Sequence, residues 1–194
     1  MSSVATPNGA EPIGTLSASG SFSGKMRHIA ITGSYGTAIF YGDFVKLTST
    51  GTVEKSAVST AIVAGTVGVF MGCSYTDPTT NQKTFSQQWP AGNTAADPVA
   101  YVADDPFLLF RMQADGAMAQ DDIGNNAQVT ATVGSTAIGR SKNAVVATTA
   151  TTNTFPLRLI EFVDGPDSVI GDAYADCVLC FAPTSHAYVT LLGV

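Results

Sequence analysis

Ala38-Ile39-Phe40-Tyr41-Gly42-Asp43-Phe44-Val45-Lys46-Leu47-Thr48, with Gly51-Thr52-Val53-Glu54-Lys55 just beyond, holds three short apolar or alternating runs separated by turn residues. Residues 38–41, 44–48 and 52–55 each have the length of a strand. Gly42-Asp43 between the first two offers the positive φ that a tight reversal needs. The same rhythm continues outward. Residues 28–32, 61–64, 67–75, 98–103 and 107–113 read as strands, followed by 128–133, 144–148, 157–163, 176–182 and 187–192. Turn chemistry punctuates them at Asp104-Asp105-Pro106, Asp115-Gly116, Asp164-Gly165-Pro166 and Gly171-Asp172. Residues 117–123 are the one locally helical stretch. No strand–helix alternation points to a parallel sheet, and no fixed period points to a propeller or solenoid.

The expected fold is therefore all-β: an antiparallel sandwich or a barrel-like domain of jelly-roll or β-tulip kind. Four consecutive apolar residues, Phe107-Leu108-Leu109-Phe110, predict a strand buried on both faces. The β domain should cover 26–194, with a small second lobe around 76–98 where a long polar excursion leads to Trp89-Pro90. Residues 1–25 are rich in Ser, Gly, Ala and Pro, a composition that buries too little apolar surface to order itself. They read as a flexible N-terminal arm, extended until a neighbouring subunit receives it. Its sparse apolar residues Ile13, Leu16 and Phe22 are candidate interface anchors, and Trp89 is a fourth candidate interface residue.

Composition agrees. Charged residues make up 12% of the 194 residues, about half of the ~25% usual in a soluble domain. Thr, Ser, Ala, Gly and Val take their place, favouring strands and turns. So uncharged a surface is either rich in hydroxyls or hidden against partner chains. The net charge of −6 and the scatter of nine basic residues argue against a nucleic-acid partner, which needs clustered Lys and Arg. No signal peptide is visible, and the longest mainly apolar run, 61–73, is broken by Gly65, Gly68 and Gly72 and is too short for a membrane span. Three cysteines are too few for a disulfide framework, so folding in a reducing cytoplasm is expected.

Candidate sites carry weak signals. Cys177 and Cys180 have a metal-like spacing, yet on a strand residues three apart face opposite ways. His28 and His186 lack a nucleophile elbow. Asp104-Asp105 and Asp121-Asp122 read as turn-capping pairs, with Asp104, Asp105, Asp164 and Asp167 as hard oxygen donors for calcium. Gly139-Arg140-Ser141-Lys142 lacks the spacing of a phosphate loop. Tyr35, Tyr41, Tyr75, Trp89 and Tyr101 suit a sugar-stacking platform as well as a core. No cofactor, metal or catalytic group is expected.

Several segments together resemble a known group. They are Gly33-Ser34-Tyr35-Gly36, then Ile39 to Leu47 in the form IF-x-GD-x-VKL, and Gly51-Thr52-Val53. Gly68-Val69-Phe70-Met71-Gly72-Cys73-Ser74-Tyr75-Thr76-Asp77-Pro78 follows. Gln88-Trp89-Pro90, Ala100-Tyr101-Val102, Asp104-Asp105-Pro106, Gly139-Arg140-Ser141 and Asp164-Gly165-Pro166-Asp167 complete the set. Spanning residues 33–186, the pattern resembles the decoration (cement, head-stabilising) proteins of tailed-phage capsids. The resemblance implies a non-enzymatic virion protein on the outer capsid surface. Its partner would be the major capsid protein, whose subunits it would bridge in the expanded shell, as a homotrimer. The alternative from the aromatic set is a carbohydrate-binding β module of a phage tail or fibre.

Overall fold

In the computed structural model, residues 4–16 and 20–190 are described. Fourteen strands lie among them. The first nine are β1 (Glu11–Thr15), β2 (Arg27–Ala30), β3 (Ile39–Phe40), β4 (Phe44–Leu47), β5 (Val53–Lys55), β6 (Thr66–Thr76), β7 (Lys83–Ser86), β8 (Gln88–Trp89) and β9 (Val99–Ala103). The last five are β10 (Leu108–Gln113), β11 (Asn126–Val129), β12 (Val145–Ala150), β13 (Leu157–Phe162) and β14 (Asp176–Phe181). The molecule is all-β, with antiparallel sheets packed together, as its turn spacing predicts.

Two large sheets divide the work, and β3 pairs with β8 in a separate two-stranded sheet. In one, the order is β2-β9-β6-β4-β5, with β7 also paired to β6. A parallel bridge joins Ile31, just past β2, to Val53 of β5. The Thr32 amide donates to the Val53 carbonyl at 3.2 Å, so the two ends of this sheet meet and it closes on itself as a ring. The second sheet is open, in the order β1-β10-β14-β13-β11-β12.

Alternation within single strands builds two cores from these sheets. Phe44, Val69 and Ala103 leave the ring to meet Leu108, Phe110, Met112, Leu157, Leu159 and Leu179 of the open sheet. Their neighbours Val45, Phe70 and Val102 point the other way, into the ring with Ile29, Ile31, Val53 and Val67. Phe44, Phe110 and Phe181 meet edge to face between the sheets, with centroids 5.3–5.6 Å apart. β6 is thus the strand buried on both faces. β10, expected in that role, alternates instead: Leu108 and Phe110 are fully buried while Phe107 is 57% exposed. Phe107 sits in the turn that Asp105 caps, before the strand begins.

Tight spots explain particular glycines. A Cβ at Gly68 would stand 2.2 Å from the Ala103 carbonyl oxygen, so β6 and β9 come this close only through glycine. Gly42 takes φ +86° at the reversal between β3 and β4, where the Asp43 amide bonds the Phe40 carbonyl at 2.9 Å.

Several segments differ in detail from the pattern read in the sequence. The described part of residues 1–25 includes β1, paired antiparallel with β10, so this stretch of the expected arm lies on the chain's own sheet. Main-chain hydrogen bonds at an open edge supply what its sparse side chains do not. The polar excursion from 76 to 88 is a hairpin arm. Its turn is held by Asp77, whose carboxylate accepts from the Thr79 and Thr80 amides at 2.7 and 3.1 Å. Trp89 and Ala95 then bury in the ring's own core, which makes the 76–98 segment continuous with the ring. Residues 61–64 form bends and turns rather than a strand, and the helical stretch shrinks to one 3₁₀ turn, Gln120–Asp122. Of the strand expected at 187–192, residues 187–190 form turns; the rest lies outside the described residues.

Candidate functional site

The densest polar cluster is organised by Asp43, which is fully buried. Gly42 turns the chain so that the Asp43 carboxylate folds back on its own reversal, where Oδ2 accepts from the Phe40 amide at 3.0 Å. Lys55 of β5 reaches the same oxygen with Nζ at 2.7 Å. The other oxygen, Oδ1, accepts from Ser141 Oγ at 2.7 Å and from Asn143 Nδ2 at 3.3 Å. A carboxylate with four donors is tolerable in the interior, whereas one stripped of its partners is not.

The 139–143 segment arrives by backbone pairing. Tyr41 donates its amide to the Gly139 carbonyl at 3.0 Å, and Ser141 donates to the Tyr41 carbonyl at 2.9 Å. The Arg140 guanidinium lies over the Tyr41 ring, 5.2 Å from its centre. Asn143 is fixed from its other side, because Oδ1 accepts from the Thr132 amide at 3.0 Å. Gly139-Arg140-Ser141, noted for a faint phosphate-loop likeness, thereby belongs to the internal wiring.

Above this cluster opens a cleft of about 460 Å³ lined by Tyr35, Phe40, Lys55, Val58, Val133 and Asn143, among others. Its walls are mostly apolar, and Lys55 Nζ lies 5.7 Å from the Phe40 ring centre. The cleft therefore has one cation–carboxylate–carboxamide group at its base and aromatic and aliphatic walls. Sequence reading passed over this site. Asp43 was visible only as a turn residue, and its partners Lys55, Ser141 and Asn143 stand 12, 98 and 100 positions away. No local spacing marks such a set.

The other candidate residues are dispersed. Ile13 and Leu16 are 42% and 50% exposed, while Phe22 is half-buried against the inter-sheet core. Trp89 is fully buried, which corrects its assignment as an interface or sugar-stacking residue. Its indole Nε1–H donates to the Tyr35 carbonyl at 2.9 Å, and its ring meets Tyr75 edge to face at 5.5 Å. A short polar neighbourhood and a following proline resemble a surface loop in sequence; pairing of Trp89 with Ile39 turns the ring inward.

Cys177 and Cys180 are both free and buried on β14, as is Cys73 on β6. Burial pushes the Cys73 and Cys177 thiols up to about 12, so neither is a thiolate at neutral pH. His28 is exposed beside the Tyr101 ring at 4.7 Å. His186 is fully buried, with rings of Phe181 and Tyr188 at 5.1 and 5.2 Å. Its Nδ1 accepts from the Tyr188 amide at 3.2 Å, which puts the proton of the neutral ring on Nε2. Burial holds its pKa below the ordinary 6.5. Nε2 has no well-formed hydrogen bond.

Three of the four paired carboxylates are occupied as caps or in an ion pair. Asp104 bonds the Arg27 guanidinium, Asp105 caps the Phe107 amide, and Asp122 accepts from the Ala119 amide and the Thr149 hydroxyl. Among the described residues, no three His, Cys, Asp or Glu side chains converge on a point that could hold a metal ion. Nor is any helix among them long and apolar enough to cross a membrane. Comparison with protein-family models, curated protein sequences and solved structures found no match.

Proposed function

We propose that this chain is a non-enzymatic structural protein that acts by adhesion. The specific role is decoration of a tailed-phage capsid: binding the outer surface of the expanded shell and bridging major capsid protein subunits. The observation that carries this reading is the apolar margin of the open sheet. Ile13, Leu16 and Phe107 are 42%, 50% and 57% exposed there, and the Leu16 amide bonds the Phe107 carbonyl at 2.9 Å, so the two residues are neighbours. Large exposed apolar side chains on a chain of few charges suit a protein that covers them with a partner.

The resemblance motifs support the same reading in a different way. Gly42, Asp43, Gly68 and Ser141 are the residues of turns, close approaches and internal hydrogen bonds. Such residues preserve a scaffold rather than a reaction. A ligand that binds only the assembled shell stabilises it by mass action, and repetition over many equivalent positions lets modest contacts suffice. A homotrimer would match the local three-fold positions of a capsid.

The test adds the purified protein to expanded capsids that lack it, then measures sedimentation with the shells and their heat tolerance. Co-sedimentation and a higher disruption temperature are expected, both reduced in an Ile13→Ser, Leu16→Ser, Phe107→Ser triple variant. Absence of binding to such shells would sink the proposal.

A further inference from the structure

Lys55, Asp43 and Asn143 form a chemically complete set, and we infer that Lys55 and Asn143 become joined by an intramolecular amide (isopeptide) bond, with Asp43 as the proton carrier. The reading is independent of any capsid role.

Three observations converge. First, a primary amine and a carboxamide approach the two oxygens of one carboxylate: Lys55 Nζ stands 2.7 Å from Oδ2 and Asn143 Nδ2 3.3 Å from Oδ1. Asp43 is itself immobilised by the Phe40 amide and the Ser141 hydroxyl, and Asn143 by the Thr132 amide, so Lys55 is the member that closes on the carboxamide. Second, the electrophile is polarised. The Thr132 amide donates to Asn143 Oδ1 at 3.0 Å, where negative charge develops when the carboxamide carbon is attacked. Third, the set is sheltered. Asp43 is fully buried and Asn143 is 6% exposed, while Lys55, its side chain 23% exposed to the cleft, passes beside the Phe40 ring.

The step balances within the chain. Asp43 takes a proton from the Lys55 ammonium, freeing the Nζ lone pair. That pair attacks Asn143 Cγ, and the carbonyl π electrons move to Oδ1 under the Thr132 N–H. Asp43 relays the second Nζ proton to Nδ2; the Cγ–Nδ2 bond then breaks as the carbonyl reforms. Ammonia leaves through the cleft and carries off the proton left on Asp43. One C–N bond forms and one breaks, with no change of oxidation state and no co-reactant. Holding both groups on one carboxylate makes the encounter of amine and carboxamide intramolecular.

Intact-mass spectrometry of the folded full-length protein tests this directly. The expected mass is lower than that of the sequence by one ammonia, and protease digestion should yield a branched fragment joining the Lys55 and Asn143 peptides. Lys55→Arg keeps the charge facing Asp43 but removes the nucleophile, and Asp43→Asn removes the proton carrier. Each should restore the full mass, with circular dichroism confirming that Lys55→Arg folds. A wild-type protein that keeps its full mass after prolonged incubation at neutral pH would overturn the inference. So would a deficit that persists in Lys55→Arg, since loss of ammonia would then arise elsewhere, for instance by ring closure at Asn8-Gly9.

Discussion

The ring and the open sheet solve one problem in two ways. Every strand has two edges, and an uncovered edge invites pairing with another chain. The ring removes its edges by closure, through the Ile31–Val53 bridge. The open sheet covers its edges with local devices. Along β1, the Thr15 amide bonds the Gly20 carbonyl at 3.1 Å and the Phe22 amide bonds the Ile13 carbonyl at 3.3 Å. Along β12, Asp115 donates its amide to the Val145 carbonyl at 2.8 Å, and its carboxylate receives the Ala147 amide at 2.8 Å. Closure is a property of the whole sheet, whereas a cap depends on one or two residues. The open sheet should therefore be the part that single substitutions convert into a sticky surface.

The sharpest way to break the comparison is to cut what couples the two regions. Phe110→Ala removes the ring at the centre of the inter-sheet aromatic trio, and a loss of about 3–5 kcal/mol is expected. Urea unfolding should stay a single transition, because Phe44 of the closed ring loses one of its two aromatic partners at the same time and keeps Phe181. Two separated transitions would show instead that ring and sheet are stable independently.

Gly68→Ala probes closure itself. Its added methyl must displace the Ala103 carbonyl, at a cost of about 1–3 kcal/mol for overpacking. The loss should appear in thermal unfolding without any rise in self-association, since no edge is opened.

Asp115→Ala makes the opposite trade. Only about 0.5–1.5 kcal/mol of stability should go with the lost hydrogen bond. The exposed edge belongs to a stretch, 143–157, that carries no charge. Light scattering at rising concentration should reveal larger particles for this variant and not for Gly68→Ala. The reverse ranking would refute the distinction between closure and caps.

The smallest effect concerns His186. Its pKa is held below 6.5 by burial, so the unfolded chain binds the proton more readily than the folded one. Stability is then fully present above pH 6.5 and falls as the solution is acidified through the folded-state value. Replacing the ring with Phe should flatten that acid limb in pH-dependent melting curves, while an unchanged slope would assign the limb to other groups.

Much of this architecture was legible in the sequence because it is local. Strands β2 to β6 and β9 declare themselves through short apolar runs and turn glycines, and ten of the strands fall close to where their patterns predict. β1 and β7 were missed for a shared reason: Glu11-Pro12-Ile13-Gly14-Thr15 and Lys83-Thr84-Phe85-Ser86 bury little, and their main-chain partners hold them. Trp89 was misjudged because inward orientation depends on pairing with Ile39, fifty positions upstream. The Asp43 site was illegible for the same reason at greater range. Its donors come from three separate segments, brought together only by the reversal at Gly42 and the strap at 139–143.

The pairing of β1 with β10 also sets a schedule for synthesis. Glu11 and its ion-pair partner Arg111 are 100 positions apart, so at about 5–20 residues per second the strand emerges from the ribosome some 5–20 s before its mate. In that interval the nascent ring can assemble from contacts all within its own stretch of chain, while the strand waits without a template. Translation speed across residues 20–110 thus governs how long an unpaired apolar segment, Ile13 to Leu16, is offered to chaperones or to the neighbouring nascent chain on the same messenger.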